Sequence, residues 1–196
     1  MNESACFSYY SSPVGELLLT SNGAALTGLH LPRSDGSPAP LSDPASRQEA
    51  SAFREVRLQL DAYFAGELRA FDLRLLTAGT PFQRLAWEEL GRIPFGTTIS
   101  YAEQARRIGR PGASRAVGAA NGRNPIAIIL PCHRVIGADG TLTGYGGGLD
   151  LKAWLLWHEA TVLGKESRPF PTSRRGKPQP VSSVRRGRIC CEFHDE

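Results

Sequence analysis

The sequence predicts an α+β protein of 196 residues, in which a small α/β unit is followed by a mostly helical unit. Short apolar segments separated by Pro, Gly and Asn turns occupy residues 7–31, which predicts a meander of strands. Helix-start signals recur from residue 80 onward, and two short helices there are joined by a tight turn. We therefore expect an α/β unit over 1–79, a helical unit over 80–164 and a tail over 165–196.

The composition excludes several classes of protein. Hydrophobic residues make up 41% of the chain and charged residues 21%, as in a globular protein that can bury a core. No apolar run approaches the length of a membrane span, and the first ten residues lack the regions of a secretory signal. The four cysteines make no disulfide framework. We therefore expect a cytoplasmic protein with no membrane partner.

The first unit has strand and helix signals but no candidate site. The segments FSYYSS, ELLLTS and AALTGLHL predict strands, and the Pro/Ser/Asp-rich residues 32–48 predict an irregular loop. Apolar residues recur at helical spacing from Ala52 to Ala65, and Gly66 is suited to end that helix. The alternation over residues 71–75 predicts one more strand.

The second unit opens on a helix and continues with a helix-turn-helix pattern. Thr80 and Gln83 have capping-box spacing, and Ser100 and Glu103 repeat it. The predicted helices run from Pro81 toward residue 94, over 101–108, and, after the turn 110–112, over 113–121. Helix pairs are common in soluble domains, so the pattern alone is also consistent with ordinary core helices.

The helix pair lies in a basic stretch that has no carboxylate between Glu103 and Asp139. Its second helix consists of small residues with Arg115 projecting, which would let the backbone approach a nucleic-acid groove closely. On charge alone, a solvated basic face explains the stretch equally well. Its arginines are Arg106, Arg107, Arg110, Arg115, Arg123 and Arg134.

Three more features follow the helix pair. The apolar run 126–130 predicts an extended segment leading into Pro131-Cys132, and the glycine-rich loop over 137–148 lacks the spacing of a phosphate-binding loop. Asp150 is suited to cap a helix over 151–159. The tail over 165–196 is basic and rich in Pro and Ser, which predicts disorder.

Cys132 could be a metal ligand, a redox thiol, a packed sulfur or a nucleophile. The chain has no Cys-x-x-Cys pair and no paired histidine spacing, which excludes the first two. A nucleophile needs a base, and adjacent His133 would point away from Cys132 on an extended segment unless a turn or a water connects them. Glu159 is a candidate to orient that base, since residues 104–138 contain no carboxylate. A buried structural cysteine remains the alternative.

The chain resembles the O6-alkylguanine-DNA alkyltransferases, most nearly the bacterial methylated-DNA–protein-cysteine methyltransferases. The resemblance is dense over residues 80–164 and loose over 7–75, and it implies a ribonuclease H-like first unit and a DNA-binding helix-turn-helix. The motifs that carry it are Asn124-Pro125, Pro131-Cys132-His133-Arg134-Val135, Gly144-Tyr145 and Trp154-Leu155-Leu156-Trp157-His158-Glu159, with Thr80-Pro81-Phe82-Gln83, Ile99-Ser100-Tyr101 and Arg115-Ala116-Val117-Gly118 upstream.

The resemblance implies repair by direct alkyl transfer to Cys132 from O6-alkylguanine, and from O4-alkylthymine, in double-stranded DNA after base flipping. His133 would deprotonate the thiol through a water, and Glu159 would hold the imidazole in the required tautomer. Because the S-alkyl product is a thioether that water does not hydrolyse, each molecule would act once.

The resemblance also assigns the supporting residues, in a monomer that needs no cofactor. Asn124 would brace the turn that carries the cysteine, and Tyr101 would help to turn the nucleotide and donate a proton to the leaving guanine. No metal is expected, because only Cys6 matches the zinc ligands found in some members. The DNA contacts would be Arg115, Tyr101, Gln83 and Arg110, and the base pocket would comprise Val135, Tyr145 and Gly146.

Three other functions are consistent with parts of the sequence. A lesion-binding protein of the same fold that does not repair DNA would lack the reactive cysteine, so Cys132 argues against it. A helix-turn-helix regulator would bind DNA by sequence and transfer no alkyl group. A thiol hydrolase would recycle an acyl-enzyme and would leave the helix pair unexplained.

Overall fold

A computed structural model describes residues 5–33 and 35–165 of the chain. The prediction of a disordered tail therefore lies outside the described residues, apart from Lys165. Within the described part, every helix is too short or too polar to cross a bilayer.

The first unit is built on a four-stranded sheet with the strand order β3-β2-β1-β4. The predicted meander is confirmed, because β1 pairs antiparallel with β2, and β2 with β3. The predicted loop over 32–48 contains one short strand, β4, which pairs parallel with the start of β1. The strands are β1 Cys6–Ser12, β2 Gly15–Ser21, β3 Leu26–His30 and β4 Arg47–Gln48.

A helix, α1 (Arg54–Ala65), follows a 3-10 turn at Ser51–Phe53, which confirms the predicted helix. Val56, Leu60 and Tyr63 form its buried side. The helix ends at Gly66, whose φ of 81° lies in the left-handed region that favours glycine.

The strand predicted over residues 71–75 is wrong in extent. The segment makes a single bridge, from Leu75 to Leu26, with backbone hydrogen bonds on either side of it. Further along the same edge, Leu29 bonds instead to the segment at Ile126. Two segments thus share one short strand edge, and neither has room to form a ladder.

Four helices and one small parallel ladder make up the second unit, and the predicted helix pair is confirmed. The ladder joins β5 to β6, the strand that follows Cys132. The elements are α2 Pro81–Gly91, β5 Ile99–Ser100, α3 Tyr101–Arg107, α4 Ser114–Asn121, a 3-10 turn at Cys132–Arg134, β6 Val135–Ile136 and α5 Leu149–Val162.

Of the two predicted capping boxes, only the first is complete. Thr80 and Gln83 exchange both hydrogen bonds at the start of α2. At α3, the Ser100 hydroxyl accepts from the Glu103 amide, whereas the Glu103 carboxylate pairs with Arg106 and Arg107. Arg106 and Arg107, one turn further along α3, therefore bind the Glu103 carboxylate that would otherwise complete the capping box.

Buried polar contacts fix the helix pair to α2. The Gln104 and Asn121 side-chain amides donate to each other across α3 and α4, at 3.2 and 2.8 Å. Gln104 also donates to the Ala86 carbonyl, and the Trp87 indole donates to the Ala120 carbonyl at 2.9 Å. These contacts hold α3 and α4 against each other and against α2.

Two predictions near the reactive segment are wrong. Residues 126–130 form consecutive turns rather than an extended segment, with an i to i+4 bond from Leu130 to Ile126 and Ile128 at a φ of 69°. The strand propensity of this run is overridden here, because its side chains pack in the core while its backbone makes a tight bend. Helix α5 begins at Leu149 with Gly148 as its N-cap, so Asp150 lies in the first turn.

A continuous hydrophobic core joins the two units. Leu19 and Leu60 from the first unit belong to the same cluster as Leu90, Ile126 and Leu155 from the second. The division of the chain near residue 79 stays a prediction. The side chains of α1 nevertheless pack in the same core as Cys132 and α5.

Candidate active site

Cys132 occupies the first position of the 3-10 turn that follows Pro131, and it is 8% exposed. The Asn124 side-chain amide donates to the Leu130 carbonyl at 2.7 Å and to the Cys132 sulfur at 3.3 Å. Its carbonyl oxygen accepts from the Ile126 amide at 3.1 Å. Asn124 thus holds both ends of the turns that precede the cysteine and contacts the sulfur directly.

The same 3-10 turn directs His133 toward Glu159 on α5. The two side chains are fully buried, and His133 Nε2 lies 2.8 Å from Glu159 Oε1. Because an ionised carboxylate only accepts hydrogen bonds, Nε2 must carry the proton and Nδ1 of the neutral ring is an acceptor. Nδ1 is buried and has no hydrogen-bond partner among the described residues. The pair therefore presents an imidazole nitrogen that can take up a proton.

Four residues from three separate segments donate to Glu159: His133 and Arg134 from one turn, Gly96 and Tyr63. Arg134 makes charged hydrogen bonds to both carboxylate oxygens, the Gly96 amide donates to Oε2 at 2.8 Å, and the Tyr63 hydroxyl donates to Oε1 at 3.0 Å. Burial by itself would raise the pKa of Glu159, but His133 and Arg134 outweigh it and lower the pKa to about 2. The carboxylate is therefore ionised at neutral pH.

Burial determines the protonation of Cys132 and His133. It raises the pKa of the Cys132 thiol, against the lowering effects of the Asn124 hydrogen bond and the Lys152 charge. It lowers the pKa of His133, against the raising effect of Glu159. At neutral pH the resting site thus has a protonated thiol and a neutral imidazole, so that the sulfur needs a base in order to react.

Lys152 is a buried ammonium that carries no carboxylate partner within the described part of the chain. It donates to the carbonyls of Val135 at 2.6 Å and Thr143 at 3.1 Å, and lies over the rings of Tyr101 and Tyr145. Burial lowers its pKa to about 8, and a Cys132 thiolate would raise it. The lysine joins the strand after Cys132 to the loop before α5.

Two of the three expected base-pocket residues, Val135 and Tyr145, contact this lysine. Val135 is buried, the Tyr101 hydroxyl donates to the Thr143 carbonyl at 3.1 Å, and the Tyr145 hydroxyl is buried without a hydrogen-bond partner in the described structure. Gly146 is exposed, with open space where a side chain would begin.

Two family models match the chain. One, described as the ribonuclease-like domain of 6-O-methylguanine DNA methyltransferase, matches residues 6–77; the other, its DNA binding domain, matches residues 81–161. A methylated-DNA–protein-cysteine methyltransferase from Mycobacterium leprae is 52% identical over 145 residues, 74% of this chain and 86% of the relative. One from Methanosarcina acetivorans is 49% identical over 151 residues, 76% of this chain and 95% of the relative. The chain belongs to the methylated-DNA–protein-cysteine methyltransferase family.

Solved structures agree with this membership and with the predicted α+β fold. The crystal structure of the Mycobacterium tuberculosis O6-methylguanine methyltransferase superposes with a TM-score of 0.74 at 48% identity, covering 80% of this chain and 93% of that one. The same organism's OGT in complex with DNA gives a TM-score of 0.73, with the same identity and coverage.

The outer face of α4 is exposed to solvent. Arg115, Ala116 and Ala119 are exposed on it, whereas Val117 and Ala120 are buried. The turn before α4 also exposes Arg110. Gln83 is only partly free, because its side-chain oxygen accepts from the Thr80 amide. The predicted DNA-contacting residues thus lie on α2, α3, α4 and the turn between the last two.

No group of three metal-ligating side chains comes together in residues 5–33 and 35–165. Cys6 is buried in β1 as a free thiol. The prediction of no metal site stays a prediction.

Sequence reasoning missed three residues that build the site, namely Arg134, Lys152 and Tyr63. Arg134 and Tyr63 bind Glu159 across 25 and 96 positions of sequence, so no local pattern signals the contacts. Lys152 did carry a signal, because it is the only lysine before residue 165 and lies in an apolar helix.

The Glu159 carboxylate should make the stability of the fold depend on acid pH. In the folded protein its pKa of about 2 lies below the ordinary value of 4.5. The ionised carboxylate therefore stabilises the fold fully above that ordinary value, and this contribution is lost as the pH falls toward 2. From about pH 5 to about pH 3 the free energy of unfolding of the wild type should lose about 2 kcal/mol that Glu159→Gln does not lose. Urea unfolding across that pH range measures the difference. The exposed Glu88→Gln should track the wild type, and equal slopes for all three proteins would contradict the assignment.

Proposed function

We propose that this chain repairs DNA by moving the alkyl group of O6-alkylguanine, and of O4-alkylthymine, to the sulfur of Cys132. The observation that carries the proposal is a buried thiol on the same 3-10 turn as an imidazole whose Nδ1 is unpartnered in the described structure and whose Nε2 is held by Glu159. Membership of the family supports the reaction, and the mycobacterial complex with DNA supports the partner.

In the proposed reaction the thiol proton leaves for His133 Nδ1, by way of a water molecule. The sulfur attacks the alkyl carbon, the S–C bond forms, and the C–O6 bond breaks with its electron pair going to the base. Tyr101 donates the proton or hydrogen bond that the leaving guanine requires. Glu159 fixes the tautomer throughout and stabilises the imidazolium that results.

Two neighbouring groups support the step. Asn124 orients the sulfur through its side-chain amide, and the Lys152 ammonium favours the thiolate. The product is a thioether, which has no hydrolysable acyl carbon, so each protein molecule works once. No cofactor takes part, because the lesion itself is the alkyl donor. Val135, Tyr145 and Gly146 line the pocket for the base.

The DNA is proposed to dock on the outer face of α4, within the alkyltransferase unit over residues 80–164. The attacked atom is inaccessible in a stacked and paired base, so the nucleotide must be flipped out of the duplex. Arg115, which projects from the exposed small-residue face of α4, would enter the minor groove and fill the gap. Gln83, Tyr101 and Arg110 would contact the strand near it.

We also propose that the protein acts as a monomer in the cytoplasm. A thiol that must be free to react is preserved in a reducing compartment. In this proposal the unit over residues 1–79 packs against the alkyltransferase unit and does not bind DNA itself.

The acceptor can be identified by intact mass after incubation with a duplex that contains O6-methylguanine. We expect one methyl group in place of one hydrogen, stoichiometric with protein and mapping to Cys132. Cys132→Ala should abolish the gain, while Cys6→Ala, which removes the other free thiol of the described structure, should keep it. Repair of the duplex with unchanged protein mass would mean a different mechanism.

The role of Arg115 can be separated from the chemistry by comparing duplex and free-base substrates. Arg115→Ala should weaken duplex binding and slow the duplex reaction by about tenfold, as expected for loss of one contact of about 1–3 kcal/mol. The reaction with free O6-benzylguanine should be largely retained. Arg54→Ala, an exposed arginine of α1, is the matched control and should change neither rate. Equal losses on both substrates in Arg115→Ala would refute this role.

A further inference from the structure

Tyr63 comes from the first unit but contacts the catalytic carboxylate. It lies in the last turn of α1, is 1% exposed, and donates its hydroxyl to Glu159 Oε1 at 3.0 Å. That oxygen is the one that accepts from His133 Nε2 at 2.8 Å. The phenol, the imidazole and the Arg134 guanidinium thus share the negative charge of a single atom.

The ring of Tyr63 is fixed from several sides. It packs edge-on against Phe95 at 6.0 Å between ring centroids and tilted against Phe71 at 5.4 Å and His158 at 5.3 Å. The His158 imidazole, one residue before Glu159, also bonds to the Tyr63 carbonyl at 2.9 Å. Tyr63 therefore joins α1 to α5 at two points, through its backbone carbonyl at His158 and through its hydroxyl at Glu159.

Packing accounts for the ring but not for the hydroxyl. A phenylalanine would make the same ring contacts, and Glu159 already has Arg134, His133 and the Gly96 amide as donors. Burial and the negative charge of Glu159 raise the pKa of Tyr63 well above 10, so it remains a donor and takes no part in proton transfer. Its effect on the site must pass through the charge and orientation of the carboxylate.

We propose that Tyr63 is a positioning residue by which the first unit sets the strength of His133 as a base, acting through Glu159 Oε1. The inference rests on the proposed function, in which neutral His133 receives the thiol proton. A donor on Oε1 withdraws negative charge from the oxygen that stabilises the imidazolium. Removing that donor leaves the imidazolium more stable, so His133 stays protonated, and unable to accept the thiol proton, up to a higher pH.

The test is the pH dependence of methyl transfer by the full chain from an O6-methylguanine duplex. For Tyr63→Phe the acid-side inflection should move up by about one pH unit, the scale of one hydrogen bond to a charged group. Below the inflection the rate should therefore fall about tenfold, and well above it the rates should converge. Tyr10→Phe is the matched control, because Tyr10 is also buried in the first unit and donates to a carboxylate, Asp61, at 2.7 Å. Its profile should coincide with that of the wild type.

Two further variants isolate the hydroxyl. Replacement of Tyr63 by 3-fluorotyrosine keeps the ring and strengthens the hydroxyl as a donor, so the inflection should move to lower pH. If the phenylalanine variant does not fold, this measurement alone tests whether the hydroxyl controls the inflection. In a Glu159→Gln background, Tyr63→Phe should shift nothing further, because the hydroxyl acts only through the carboxylate.

An unshifted inflection in folded Tyr63→Phe, or an equal shift in Tyr10→Phe, would overturn the inference. The pH profile of Cys132 alkylation by iodoacetamide, followed by peptide mass, gives the same comparison without DNA. If the wild type takes no methyl group from the duplex, the proposed function fails. The iodoacetamide profiles would then still show whether Tyr63 controls the base.

Discussion

Burial of one carboxylate organises the site. An ionised glutamate in a protein interior costs several kcal/mol unless paired charges and hydrogen bonds offset the loss of water. Glu159 obtains its donors from the turn after Cys132, from the loop at Gly96 and from α1, so the three segments must meet at α5. The orientation of His133 follows from this requirement, because its Nε2 proton is one of those donors.

The turn that carries Cys132 depends on the same arrangement. His133 and Arg134 are two of the three residues of the 3-10 turn that begins at Cys132, and both bind Glu159. Once they are fixed, the cysteine has little freedom, and Asn124 holds the remaining side of the sulfur. The thiol is thereby kept protonated and buried until a base draws its proton. Lys152 adds a positive charge that favours the thiolate.

The sequence predicted the features that depend on neighbouring residues and missed those that depend on distant ones. The capped α2 and the α3–α4 pair follow from local signals, as does the α1 helix that ends at Gly66. Glu159 was predicted as the partner of His133 by exclusion of nearer carboxylates, and the structure places the two 2.8 Å apart. The Tyr63 contact spans most of the chain and has no periodic signature. Residues 126–130 have strand propensity yet form turns, because the packing of the turn outweighs a preference of a few tenths of a kcal/mol per residue.

The central claim is that a buried, ionised Glu159 holds neutral His133 with its proton on Nε2, and leaves Nδ1 without a partner in the described structure. Nitrogen-15 NMR of the His133 side chain at neutral pH tests this most directly, since protonated and unprotonated ring nitrogens have well separated shifts. We expect a protonated Nε2 and an unprotonated Nδ1 in the unreacted protein. A proton on Nδ1, in either the neutral ring or an imidazolium, would contradict it.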